Sequence, residues 1–347
     1  MKLLTWRGLF VCVLLAFLCA GACAKQKSPS GYHLIKQVKL GGEGGWDYIS
    51  FDAKGNRLFI SRSTHVMVVD ADTFAVVGDI PDTQGVHGVA IADDVGKGYT
   101  SNGRANTVTV FDLKTLKVLK QIPVGQNPDT IIYDPASKRV FTMNGRSNDT
   151  TAIDAATDTV AGTLALEGRP EFAVADERGH VFVNLEDKSM VAEFDSRKLG
   201  AVLARWPIAP AEGPSGLAID RRHARLFSTG DNKTLAVLDA ETGKVLTTLP
   251  IGGGVDAAGF DPDTGLAFTS NGEGTLTVVH EDSPDKFTVL ENVATQRGAR
   301  TMALDPKTHR VFLITAEFGP PPAPTPERPR PRPSIVPGSF TLLVFGR

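Results

Sequence analysis

The sequence predicts an all-β protein, a seven-bladed β-propeller whose last blade is closed by a strand from the N-terminus. Three observations predict it. Short runs of alternating apolar and polar residues recur every 41 to 44 residues. An aspartate ends the first and third runs of nearly every repeat, and the last repeat is one strand short. Four short strands per repeat, with turn chemistry between them, is the pattern of a propeller blade.

The first 24 residues are expected to lie outside the fold. Lys2 and Arg7 give a positive start, residues 8–18 an apolar run and residues 19–24 a small-residue end. This reads as an export signal, and the run is too short to span a bilayer. Ala20-Gly21-Ala22 and Ala22-Cys23-Ala24 both fit a small-x-small cleavage site, giving a soluble product in a bacterial periplasm. The alternative is a lipoprotein anchored at Cys23, with Ala20 where a leucine is usual. Neither route leaves a transmembrane segment in the mature chain. Cys12, Cys19 and Cys23 all fall in this segment, so the folded part has no cysteine and rests on its core. Losing Lys2 and Arg7 takes the formal charge from −2 to −4, which gives no global pull toward nucleic acid or membrane. Residues 25–32 read as a short linker, and 33–347 as the propeller.

The clearest repeat unit runs from Tyr99 to Asp134. Tyr99-Thr100-Ser101-Asn102 is a strand that stops at an asparagine, and Gly103-Arg104-Ala105 supplies the turn. Residues 107–112, 118–122 and 130–134 are three further alternating runs. The aspartate closing the first strand recurs at Asp52, Asp93, Asp134, Asp176, Asp220, Asp261 and Asp305, which counts seven blades. The aspartate closing the third recurs at Asp70, Asp112, Asp154, Asp195 and Asp239, with Glu281 in the sixth repeat. Second strands carry a phenylalanine at one point (Phe59, Phe141, Phe182, Phe227, Phe312), as packing between neighbouring blades requires.

In the seventh repeat, residues 317–337 hold nine of the 22 prolines and separate the second strand from residues 339–345. The missing strand is at the other end of the chain. Residues 33–40 match the outer-strand pattern, and pairing them with the last strand closes the ring without an exposed inner edge. A closed ring of this kind is expected to be a monomer.

Tyr99-Thr100-Ser101-Asn102, then residues 106–112, Ile122-Pro123-Val124-Gly125 and Pro128, resemble the YVTN repeat of the bacterial YncE-like β-propeller family. Residues 237–245 are similar to the family's stretch across the third and fourth strands, and the resemblance covers about 33–347. The fourth repeat departs most, with acids in the turn at Asn184-Leu185-Glu186-Asp187, and no repeat ends in Trp-Asp as WD repeats do. The resemblance implies a propeller fold and, because such proteins are often labelled DNA-binding, a nucleic-acid reading.

The start of each inner strand and the turn after each second strand meet at one mouth of the central channel. The inner starts are Asp47, His87, Asp129, Glu171, Ser215, Asp256 and Arg300. Of these Asp47, His87, Asp129, Glu171, Asp256 and Arg300 are the candidate ligand-binding set. Carboxylates held together need a cation, a proton or a positive side chain. Three readings stay open: a divalent cation such as Ca²⁺ or Mn²⁺ at the mouth, a structural ring paired by His87 and Arg300, or an acid–base pair acting on a substrate.

Around this ring the turns add Arg62, Asn102, Asn144, Arg146, Asn184, Glu186, Asp231 and Asn271. Asn102, Asn144 and Asn271 precede glycine and read as turn formers. Trp46 is expected either to stack on a ligand or to fill the gap between blades. The proline-rich segment should lie on the mouth face as an extended rod carrying Arg328, Arg330 and Arg332, either as a lid or docking strand or as a solvated loop.

No G-x-S-x-G elbow, H-E-x-x-H, phosphate loop or C-x-x-C pair is present. The expected function is an exported YncE-like scaffold that binds a protein, peptide or small molecule through the mouth. The alternatives are a metal-assisted, lactonase-like hydrolase or lyase, and a nucleic-acid-binding propeller. An acidic mouth opposes phosphate, with only Arg62, Arg104, Arg146 and the loop arginines in its favour.

Overall fold

The computed structural model describes residues 28–325, 331 and 333–347. The expected export signal, residues 1–24 with Cys23, lies outside the described residues, as do Arg328, Arg330 and Arg332. Within them the strands form seven four-stranded antiparallel sheets, the blades of a propeller. Blade 3 is representative. Its inner strand is Pro128–Asp134, followed outward by Arg139–Asn144, Asp149–Asp154 and Thr159–Ala165. The two middle strands of each blade are almost wholly buried, whereas outer strands such as Val118–Pro123 face solvent.

Blade 7 closes as the strand count requires. Met302–Asp305 and Arg310–Thr315 are followed by Thr341–Gly346, and His33–Lys39 pairs antiparallel with that strand from His33 opposite Gly346 to Lys39 opposite Thr341. The join is reinforced by Arg62. This side chain, expected at the mouth surface, is instead fully buried. It donates to the carbonyls of Gly41, Glu43 and Gly44 at 2.8–3.0 Å and lies over the Phe340 ring. A guanidinium inside the protein needs several acceptors, and the chain leaving the closing strand supplies three carbonyls. Residues 28–32, expected as a linker, are also packed. The Ser28 and Ser30 hydroxyls donate to Glu291 Oε1, and Tyr32 is buried against Phe268 with its hydroxyl on the His309 carbonyl at 2.7 Å.

Phenylalanines from adjacent blades meet in pairs: Phe59 with Phe111, Phe141 with Phe194, Phe227 with Phe260 and Phe312 with Phe51. The repeated aspartates cap turns at the end of the ring opposite the mouth. Asp134 accepts from the N–H groups of Ala136 and Ser137, and Asp154 from those of Ala156 and Thr157. Asn102, Asn144 and Asn271 behave differently from expectation. Their backbones are not left-handed; that conformation falls to Asn106, Asn148 and Gly274. Each asparagine side chain instead accepts from a threonine two residues earlier and donates to two side chains of the next strand, as Asn102 does with Thr100, Thr107 and Thr109. These amides hold the second and third strands together from inside.

Candidate functional site

The site is built on a local irregularity of the inner strands. In blades 2 to 6 the pairing of inner and second strand shifts just after its first residue: between Val86 and Val89, Pro128 and Ile131, Pro170 and Ala173, Pro214 and Leu217, and Val255 and Ala257. A β-bulge re-aims side chains out of the alternating pattern. His87, Asp129, Glu171, Ser215 and Asp256 all sit in these shifts. Hydroxyls then hold the backbone of the ring positions across blade boundaries. Ser101 donates to the Asp129 carbonyl, Ser270 to that of Arg300, and Thr301 to that of Asp47 at 2.6 Å.

Five of the six candidate residues form a connected chain of charges. His87 Nδ1 is 2.6 Å from Asp47 Oδ2 and 3.5 Å from Asp129 Oδ1. Arg300 reaches Asp47 Oδ1 through Nη2 at 3.2 Å, and its Nε lies 3.2 Å from Asp256 Oδ2, so Asp256 joins as the fifth. Glu171 is the exception: among the described residues it makes no hydrogen bond or ion pair, although the charges of Asp129, Asp256 and Asp47 all act on it. Gly103 presses on His87, and a Cβ there would stand 2.5 Å from Nε2. Ser215 leaves the ring; its hydroxyl donates to the Val255 carbonyl at 2.9 Å and links blades 5 and 6.

Two aromatic residues that sequence reasoning missed form the floor. Tyr48, from blade 1, and Phe172, from blade 4, approach across the channel with ring centroids 5.5 Å apart. The Tyr48 hydroxyl accepts from Thr130 at 3.0 Å and feels the charge of the Asp129 carboxylate. Each directly follows a ring residue, Asp47 and Glu171, and that adjacency was the available signal. With apolar surface beneath them the acids lose hydration. Burial pushes Glu171 up to about 9, helped by Asp129 and Asp256. Burial likewise raises Asp256 to about 7 against the pull of Arg300, and Asp129 to about 6 against that of His87. Burial lowers the His87 value, but Asp47 and Asp129 outweigh it and leave it raised. The Tyr48 phenol is pushed well above its ordinary range by burial and then by the carboxylates above it.

The donor atoms of Asp47, His87 and Asp129 lie within 4.8 Å of one another, so these three can hold a metal ion. Beside the ring a cleft of about 500 Å³ is lined by Trp46, Phe318, Pro333 and Ile335 with Arg297 and Arg300. Phe318 pairs with Ile335, and both line this cleft, so the base of the proline-rich segment lies beside the mouth. Trp46 fills the gap between Phe318 and Phe340. Of the outer positions, Glu186 is paired with Arg169 at 2.6 Å, and the Asn184 amide donates to the Ser215 and Gly216 carbonyls. Arg146 and Asp231 are exposed.

No protein-family model matches the chain, and no curated protein matches it. Among solved structures it is similar to hydrazine synthase of Kuenenia stuttgartiensis, with a TM-score of 0.69 and 17% identity over 80% of this chain and 94% of that one. At that identity the likeness concerns the propeller fold alone. Among the described residues no helix is long and apolar enough to cross a membrane.

Proposed function

We propose that this chain is an exported, YncE-like propeller that binds a ligand at its channel mouth through a positively charged group: a divalent cation, or the cationic moiety of a small molecule or peptide. One observation carries the reading. Four carboxylates converge over an aromatic floor with one guanidinium and one imidazole to offset them, and Glu171 has no partner among the described residues. A ring serving only to hold blades together would pair its acids. An arriving cation supplies the missing charge and displaces the protons that Glu171 and Asp256 hold. The adjoining cleft, apolar on one side, gives room for the remainder of a larger ligand.

The test is a thermal-shift panel of Ca²⁺, Mg²⁺, Mn²⁺ and Zn²⁺, with small organic amines alongside. A ligand bound only by the native state raises stability in proportion to ln(1 + [L]/Kd). At least one member of the panel is expected to raise the melting temperature of the wild type and to lose that effect in Asp129→Asn. No shift from any member, or the same shift in the variant, overturns the reading.

A hydrolase or lyase reading draws on one further feature. His87, flanked by Asp47 and Asp129, is arranged as a base, while Glu171, with a value near 9, holds a proton to give at neutral pH. Lactone turnover that vanishes in His87→Gln would favour it. Nucleic-acid binding has less support, because Arg62 is buried and Arg300 is shared by two carboxylates.

A further inference from the structure

The sixth repeat breaks the aspartate rule, and the structure gives the break a consequence. In five other blades the aspartate ending the third strand turns back to accept N–H groups of its own turn, as Asp239 does from Glu241 and Thr242. In blade 6 the strand register puts His280, opposite Leu266, at that position, so the expectation that Glu281 replaces the aspartate is one residue out; Glu281 stands where blades 1 to 5 carry Ala71, Leu113, Ala155, Ser196 and Ala240. The strand Thr275–Ser283 runs on into a longer hairpin with Lys286–Ala294. The glutamate side chain crosses to blade 5, where it meets Asp220 and His223 on the face opposite the mouth.

The contacts there are more than an ion pair needs. His223 Nδ1 is 2.7 Å from Glu281 Oε1 and 2.7 Å from Asp220 Oδ2. A ring nitrogen carries one hydrogen, so it can serve one of those oxygens and leaves the other as a bare close contact. Both carboxylates are withdrawn from water, with side chains 2% and 3% exposed. Glu281 Oε2 is buried with no hydrogen-bond partner, and Glu281 as a whole is more than nine-tenths buried at 9% exposure. The nearest guanidinium does not serve it, because Arg225 is held by Asp239 at 2.8 Å and Asp285 at 3.2 Å. An unpartnered carboxylate oxygen in such surroundings is costly unless something binds it.

We propose that Asp220, His223 and Glu281 form a second metal site, taking a borderline divalent ion such as Zn²⁺ through one imidazole nitrogen and two carboxylates. Donor atoms bound at about 2.0–2.2 Å to one ion stand roughly 3 Å apart; here His223 Nδ1 is 2.7 Å from each carboxylate oxygen, and all three donors lie within 4.8 Å of one another. The half-exposed edge of His223, at 40% side-chain exposure, leaves a position for water. The ion clips blade 5 to blade 6, away from the mouth and independent of any ligand there.

The experiment is isothermal titration of chelator-treated full chain with Zn²⁺, paired with anomalous diffraction at the zinc edge. Glu281→Asp adds no bulk to the strand but shortens the side chain by one methylene, which draws the carboxylate back from His223. Its cooperative melting is checked alongside that of His223→Ala. The wild type is expected to show zinc density between Asp220, His223 and Glu281. Glu281→Asp is expected to weaken that binding more than ~10-fold, and Asp129→Asn to leave it unchanged. Absence of zinc at these residues, or equal affinity in a folded Glu281→Asp, overturns the site. A zinc equivalent lost in Asp129→Asn would report on the mouth instead, so the two proposals fail separately.

Discussion

The two ends of this propeller use the same side chain in opposite ways. At the end away from the mouth, aspartates face backbone N–H groups. Asp70, Asp112 and Asp154 each accept from their own turn, and those hydrogen bonds hold their carboxyls below the ordinary range. At the mouth, Asp129, Glu171 and Asp256 have a floor of tyrosine and phenylalanine beneath them, and burial pushes all three upward. One set of carboxylates consolidates turns. The other is held at a cost that a bound positive group would remove.

Both ends depend on a closed ring, so the largest effect should come from opening it. Deleting residues 28–40 removes the strand paired with Thr341–Gly346 and cuts loose the segment whose carbonyls hold Arg62. Loss of cooperative unfolding, followed by heat denaturation with circular dichroism, is the expected result. A truncated chain melting as the wild type does would mean that blade 7 stands without its outer strand.

A smaller effect separates the ends directly. Asp134 is fully buried and accepts two N–H groups of its turn. Asp134→Ala leaves those donors unpaired and should cost about 2 kcal/mol by urea denaturation. An unchanged midpoint would show that the capped aspartates are dispensable and would erase the contrast with the mouth.

Much of this was legible from the sequence. The spacing of Asp52 through Asp305 counted the blades, and the missing strand in the last repeat located residues 33–40 as its closure. The ring residues were legible because a propeller brings inner-strand starts together whatever their identity. What was not legible lay in the side chains. Arg62 reads as a surface turn residue until its three carbonyl acceptors, contributed by the chain leaving the closing strand, are seen. Tyr48 and Phe172 read as ordinary core aromatics because nothing in the pattern says that they meet across the channel. Asn102, Asn144 and Asn271 looked like turn formers because glycine follows each. The turn in fact takes its left-handed residue later, and the amides are spent between strands. Glu281 stood out as a departure from its repeat, although the register gives the aspartate's place to His280; His223 is 58 positions away and only blade packing joins it to Glu281.

The most informative expected change needs no ligand. Glu171 has a folded value of about 9 against an ordinary 4.5. Its protonated form is therefore favoured by folding. The stability this gives is complete below the ordinary value and is lost as pH rises toward the folded one. The measurement is the unfolding free energy of the ligand-free wild type and of Glu171→Gln between about pH 5 and about pH 9. The wild type should lose stability steadily across that window. Glu171→Gln, which cannot ionise, should lose less and be the more stable of the two at the alkaline end. A variant less stable than the wild type at high pH would contradict this, because it would make Glu171 a compensated structural anion and the mouth a ring that already has all its charges paired.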